Sequence, residues 1–191
     1  MRKGTRRWLL GGGIGSGKSA VRALLEERGI RTIDADSVGH EILEPGSEAY
    51  ESVVSEWPQV VSTGRIDRAR LARIVFNDPA QLRRLETITH PLIFGRIRRL
   101  VEGFDGPAVV EIPLLKADLG EGWGRMVVDA DDAVRLRRAV ARGLAHDDAL
   151  ARMKSQPPRA AWLAAADMVI PNHGSMTQLR RTVDVVASLI D

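Results

Sequence analysis

Residues Gly12-Gly13-Ile14-Gly15-Ser16-Gly17-Lys18-Ser19 carry the clearest chemistry in this 191-residue chain. A glycine, four residues and then Gly-Lys-Ser is the pattern of a loop that wraps phosphate groups. Glycines let the backbone curl until its N–H groups face inward as an anion nest. At a helix N-terminus the helix dipole adds positive potential. Lys18 would reach β- and γ-phosphates as a point charge, and the Ser19 hydroxyl would ligate magnesium. Four glycines among residues 11 to 15, followed in register by Gly-Lys-Ser, set this apart from a flexible glycine-rich turn.

Two further groups of charged residues could act beside such a loop. Asp34 and Asp36 flank Ala35 at the end of a short apolar run, so they share a side if the strand stays extended. One of them is expected to cap a helix beginning near Ser37, which leaves the other for chemistry. Glu111 ends the apolar run Ala108-Val109-Val110 and resembles the acidic end of a Walker B strand, which holds a magnesium shell. Arg135, Arg138 and Arg142 fall at helical spacing and share one face.

The elements that must position these residues follow from pattern. Trp8-Leu9-Leu10 reads as a buried strand before the loop, and Ala20–Arg28 as a helix stopped by Gly29. Residues 29–36 make a second strand, beyond whose carboxyl end ligands sit in open α/β sheets. From 37 to about 100 the chain reads as helical, without strands. Ser37–Leu43 is one helix, Ser47 caps Glu48–Trp57, and Gly64-Arg65-Ile66-Asp67 starts another. Asp78-Pro79 opens a helix as N-cap and first-turn proline, and His90-Pro91 interrupts before the apolar stripe resumes. A helical stretch of this length is not needed to hold a nucleotide and is a natural place for an acceptor. Strands at 108–115, 125–130 and 166–170 follow. Between the last two lie helices Asp132–Arg142 and Asp147–Ser155, an arginine-bearing lid. Ser175 caps a terminal helix.

Composition narrows the classes. The chain has no cysteine, which excludes disulfides and thiolate metal sites and fits a reducing compartment. Arg2, Lys3, Arg6 and Arg7 precede an apolar run too short for a signal peptide or a membrane span, so a cytoplasmic protein without a membrane partner is expected. The net charge is +3, with 24 arginines against four lysines. Aromatics at 4% offer little stacking surface, so nucleic acid is not an expected partner.

Taken in order, Gly12–Ser19, Asp34-Ala35-Asp36, Glu44-Pro45-Gly46, Gly64–Arg68, Thr89–Ile93 and Pro113-Leu114-Leu115 resemble the dephospho-coenzyme A kinase family. So do Arg135–Arg138, Arg142, Gln156 and Ala166–Ile170 with Asn172. The resemblance runs over nearly the whole chain. It implies an α/β, three-layer P-loop fold with a five-stranded parallel sheet (core 1–36 and 104–191), a helical acceptor-binding insertion (37–103) and a lid (about 135–160). It implies ATP-dependent phosphorylation of the ribose 3′-hydroxyl of dephospho-coenzyme A, with Mg2+; a monomer is expected, with a weak oligomer as the alternative. Asp36 would be the base, with Lys18 and Arg142 also catalytic. Nucleotide would meet Gly13, Ile14, Gly15, Ser16, Gly17, Lys18, Ser19, Ala20, Arg138, Arg142 and Asn172. The acceptor would meet Asp34, Asp36, Arg68, His90, Pro113 and Leu114, and the metal Ser19, Asp34 and Glu111.

Four positions depart from the family pattern. Gly11 and Ala20 stand where threonine is usual, Glu111 replaces aspartate, and Lys116-Ala117 follows where an acidic residue is usual. The alternatives are another small-molecule or nucleoside-monophosphate kinase of the same fold, and a non-catalytic nucleotide-binding switch.

Overall fold

Trp8, Leu9 and Leu10 are buried because their strand, β1 (Arg7–Gly11), has a neighbour on each side. The structure, a computed structural model, describes residues 6–191, so Arg2 and Lys3 lie outside the described residues. After β1 come α1 (Lys18–Glu26), β2 (Arg31–Asp34), α2 (Ala35–Glu41), α3 (Tyr50–Glu56), β3 (Val61–Ser62), β4 (Arg65–Ile66), α4 (Arg68–Phe76) and α5 (Pro79–Val101). Then follow β5 (Ala108–Glu111), β6 (Trp123–Asp129), α6 (Asp132–Ala141), α7 (His146–Ser155), α8 (Arg159–Ala164), β7 (Met168–Pro171) and α9 (Met176–Ile190).

The described residues form two compact units, one running through Ile33 and resuming at Gly103–Asp191, the other Asp34–Glu102. The first unit holds a five-stranded parallel sheet in the order β2-β5-β1-β6-β7. Strands such as β5, buried at every position, are near-continuous apolar runs, as a sheet covered on both faces requires. Val21, Leu24 and Leu25 of α1 and Leu179, Val183, Val186 and Ile190 of α9 join Trp8, Leu10, Val109 and Met126 in one core cluster. Helix α9 starts on a reciprocal capping box between Ser175 and Gln178.

The second unit is helical around α5, against which α2, α3 and α4 pack. Three sequence expectations change here. Helix α5 runs unbroken through Pro91 for 23 residues. Proline costs a helix interior about 3 kcal/mol, but Pro91 faces outward while Thr89, Ile97 and Val101 are buried. Burial along the rest of α5 offsets that cost. Arg65-Ile66 is a strand rather than a helix start. It pairs antiparallel with Val61-Ser62 across Thr63 (φ 49°) and Gly64 (φ 75°), a two-residue turn that needs positive φ at both centres. The helix begins after it, with the Asp67 carboxylate accepting from the Arg70 amide. Ser47 does not cap α3; the N-cap is Ala49, and Ser47 lies in the preceding turn with its amide donating to the Glu44 carbonyl.

Two further differences concern the functional segments. The second strand ends at Asp34, not Asp36: α2 already starts at Ala35, so the two carboxylates do not alternate along a strand. Three helices, not two, separate β6 from β7. Helix α8 follows Pro157-Pro158, whose N–H-free nitrogens suit a helix start.

Candidate active site

The phosphate loop leaves the carboxyl end of β1 and enters α1, whose N-cap is Gly17 at φ 101°. Gly15 also has positive φ, at 75°. Its hydrogen is required for space as well: a Cβ there would lie 2.2 Å from the Arg135 carbonyl oxygen. A Cβ on Gly13 would lie 2.0 Å from Arg135 Nη2. The loop glycines therefore leave room for the arginine side chain and backbone that press against the loop.

Arg135 is 5% exposed. Its Nε donates to the Ile14 carbonyl at 3.0 Å, and its Nη1 pairs with Asp132 at 2.7 Å. The Gln156 side-chain oxygen accepts from the Ile14 amide at 2.7 Å. Arg138 donates to the Asn172 carbonyl at 2.9 Å and to its Oδ1 at 3.2 Å, while Asn172 Nδ2 donates to the Ser16 carbonyl at 2.7 Å. Burial, then the nearby Arg142 and Arg137 charges, hold the Arg138 guanidinium below its ordinary pKa. Arg142 itself is exposed at the C-cap of α6. The shared face read from the sequence thus splits: Arg135 and Arg138 brace the loop, and Arg142 stands at the surface.

Lys18 Nζ donates to the carbonyls of Gly12 at 3.0 Å and Gly13 at 3.4 Å. Ser19 Oγ donates to Glu111 Oε1 at 3.0 Å, which joins the first turn of α1 to the end of β5. Ala20 follows, half-buried and packed on the core. Gly11 also finds its reason here. A Cβ at that position would lie 2.6 Å from Cζ3 of the buried Trp162 on α8, so the ring fills the space a threonine would need.

Pro113 and Leu114 lie half-buried after β5, where the Leu114 carbonyl accepts from the Ala117 amide at 3.2 Å. Lys116 is exposed. Asp34, Asp36, Arg68 and His90 belong to the second unit. There Asp34 Oδ1 accepts from the Asp36 amide at 2.9 Å, so Asp34 is the helix cap and Asp36 an exposed first-turn residue of α2. Arg68 is exposed at the start of α4, and His90 stacks on Phe94 at 5.6 Å.

From the sequence, Arg22 and the Asp129 cluster had no role, and Arg135 and Gln156 were noted without a contact to the loop. Asp129, at the end of β6, takes both ends of the Arg159 fork at 2.7 Å, and Arg159 also reaches Asp131 at 2.8 Å. His173 lies 3.3 Å from Asp129 and 3.1 Å from Asp131. The Arg159 hydrogen bonds hold the Asp129 carboxyl below the usual carboxylate range. Arg135 carried a signal in its spacing and Gln156 in the family resemblance; Arg22 and Asp129 meet partners far along the chain.

A family model for dephospho-CoA kinase (CoaE) matches residues 9–178. The chain belongs to the dephospho-CoA kinase family. A dephospho-CoA kinase from Frankia casuarinae is 44% identical over 183 residues, covering 93% of this chain and 80% of that one. The crystal structure of TT1252 from Thermus thermophilus is similar with a TM-score of 0.80 at 34% identity, over 96% of this chain and 97% of that one. A dephospho-CoA kinase structure from Campylobacter jejuni is similar with a TM-score of 0.72 at 27% identity, over 97% and 96%. This kinase therefore combines the family's parallel-sheet fold with a braced phosphate loop. Among the described residues, no helix is long and apolar enough to cross a membrane.

Proposed function

We propose that this dephospho-CoA kinase moves the γ-phosphoryl group of ATP to the ribose 3′-hydroxyl of dephospho-CoA chiefly by positioning and charge neutralisation. The observation that carries the reading is the phosphate loop itself, held by Arg135, Arg138 and Asn172. A loop held in advance needs no reorganisation as charge develops on the phosphates. Lys18 donates to the Gly12 and Gly13 carbonyls. On ATP binding it exchanges them for phosphate oxygens, which make stronger, charge-assisted bonds. Arg142 adds its charge from the lid.

Asp36 is the base in this reading. Its carboxylate accepts the 3′-hydroxyl proton as the oxygen attacks phosphorus. Asp34 supports it by capping α2 and ordering the turn that carries Asp36. Arg68, His90, Pro113 and Leu114 contact the acceptor.

The oxygen donors Ser19 and Glu111, bonded at 3.0 Å, suit a hard divalent cation, and we assign Mg2+ to them. Held there, magnesium would supply positive charge to offset that of the phosphates. Action as a cytoplasmic monomer, without nucleic-acid or membrane partners, completes the proposal. Coupled measurement of ADP release tests it. Release should require dephospho-CoA; equal release without the acceptor would favour a nucleotide switch, and release driven by another hydroxyl acceptor would favour a different small-molecule kinase.

A further inference from the structure

Glu111 is longer by one methylene than the aspartate the family pattern leads one to expect, and a longer carboxylate has more rotamers to lose. The structure shows what restrains it. Arg22 lies one turn after Ser19 on the same face of α1. Its Nε donates to Glu111 Oε2 at 2.9 Å, while Glu111 Oε1 accepts from Ser19 Oγ at 3.0 Å. The other arm of the guanidinium, Nη1, donates to Glu26 Oε1 at 2.8 Å, and Glu26 also accepts from Thr32 Oγ1 on β2. The Glu111 side chain is 10% exposed and that of Arg22 26%. A chain of hydrogen bonds therefore runs from β2 through α1 to the end of β5 and back to the loop serine.

We infer that Arg22 is a positioning residue for the magnesium site, acting through Glu111 on Ser19. Resting on the proposed magnesium assignment, the inference adds the residue that sets the geometry of its donors. With Oε2 held by Arg22, Oε1 is left to accept the Ser19 proton. That proton then points at Glu111, which would leave a lone pair of the Ser19 hydroxyl for the metal. The guanidinium also offsets the Glu111 charge beside a triphosphate, so the carboxylate does not repel the nucleotide. Lysine cannot substitute fully, because a single ammonium lacks the planar fork that spans Glu111 and Glu26.

Titration of the protein with a fluorescent ADP analogue, in EDTA and across a magnesium series, tests this without turnover. Arg22→Ala should bind the nucleotide in EDTA as the wild type does. It should need about 10-fold more magnesium to reach half of the magnesium-dependent gain, the usual worth of a residue behind a metal ligand. Arg22→Lys should fall between the two and keeps the proposal testable if the alanine variant folds poorly. On a Glu111→Gln background, Arg22→Ala should add little, because the effect passes through Glu111. A lowered melting temperature with an unchanged or reduced magnesium requirement would make Arg22 a structural tie between α1 and β5 and overturn the inference. So would full additivity with Glu111→Gln. No magnesium gain in the wild type would overturn the magnesium assignment as well.

Discussion

Arg138 donates to both oxygens of Asn172, at 2.9 Å to the carbonyl and 3.2 Å to Oδ1, and Asn172 in turn donates to the Ser16 carbonyl. An arginine of α6 and a residue after the last strand thus brace one loop peptide together. Arg138→Ala should lower the melting temperature and weaken ATP binding, because the brace exists before nucleotide arrives. Arg142→Ala should leave the melting temperature near wild type, as Arg142 is exposed. Its loss should fall on turnover, where an arginine stabilising transition-state charge is worth about 10³–10⁵. Thermal melts and ATP titrations of the two variants, beside their rates, check the contrast. Equal losses of binding and rate in Arg142→Ala would make it a ground-state anchor.

Lys18→Ala should nearly abolish turnover while preserving the fold. The ammonium bridges the Gly12 and Gly13 carbonyls but lies outside the core cluster, so its stabilising share is small beside its electrostatic one. Circular dichroism and steady-state rates measure the two sides. A folded variant with near-normal turnover would remove the phosphate-loop assignment.

The two carboxylates around Ala35 should separate by kind of defect. Asp36→Asn keeps the shape of the side chain but not its basicity, and turnover should fall by about 10²–10⁴, the worth of a general base. ATP and dephospho-CoA binding should persist. Asp34→Asn retains an N-cap acceptor, so α2 should hold. If Asp34→Asn is inactive at saturating magnesium while Asp36→Asn turns over normally, the roles are exchanged.

Acid stability should report on Asp129. Its pKa is depressed in the folded state, chiefly by the Arg159 hydrogen bonds, with the Arg159 and His173 charges adding to them. A depressed carboxylate contributes stability that is fully present above its unfolded pKa, about 4. That stability is lost as pH falls through the lower folded value. Arg159→Ala removes the fork and leaves Asp129, 7% exposed, facing His173 alone. The melting temperature should drop at neutral pH, and the acid decline should begin at higher pH than in the wild type. Melts between about pH 3 and pH 7, the range in which carboxylates titrate, decide it. Superimposable profiles would show that the pair contributes nothing.

What the sequence determined by itself was local. The phosphate loop, the Asp78-Pro79 start of α5 and the Ser175 cap of α9 each depend on residues a few positions apart, and propensity and capping act at that range. The central strands β1 and β5 were legible because buried parallel strands are near-continuous apolar runs. Tertiary structure decided the rest. The 23-residue α5 passes Pro91 because packing along its length outweighs a local defect. The two-residue strands β3 and β4 are too short to carry a period, and only their pairing defines them. The ending of β2 at Asp34 was set by a side-chain cap competing with strand extension, which divided two aspartates that residue type and spacing alone left equivalent. The arginines differ for the same reason. Spacing put Arg135, Arg138 and Arg142 on one face, but only the folded chain brings Ile14, Ser16 and Asn172 to the first two and leaves the third in solvent.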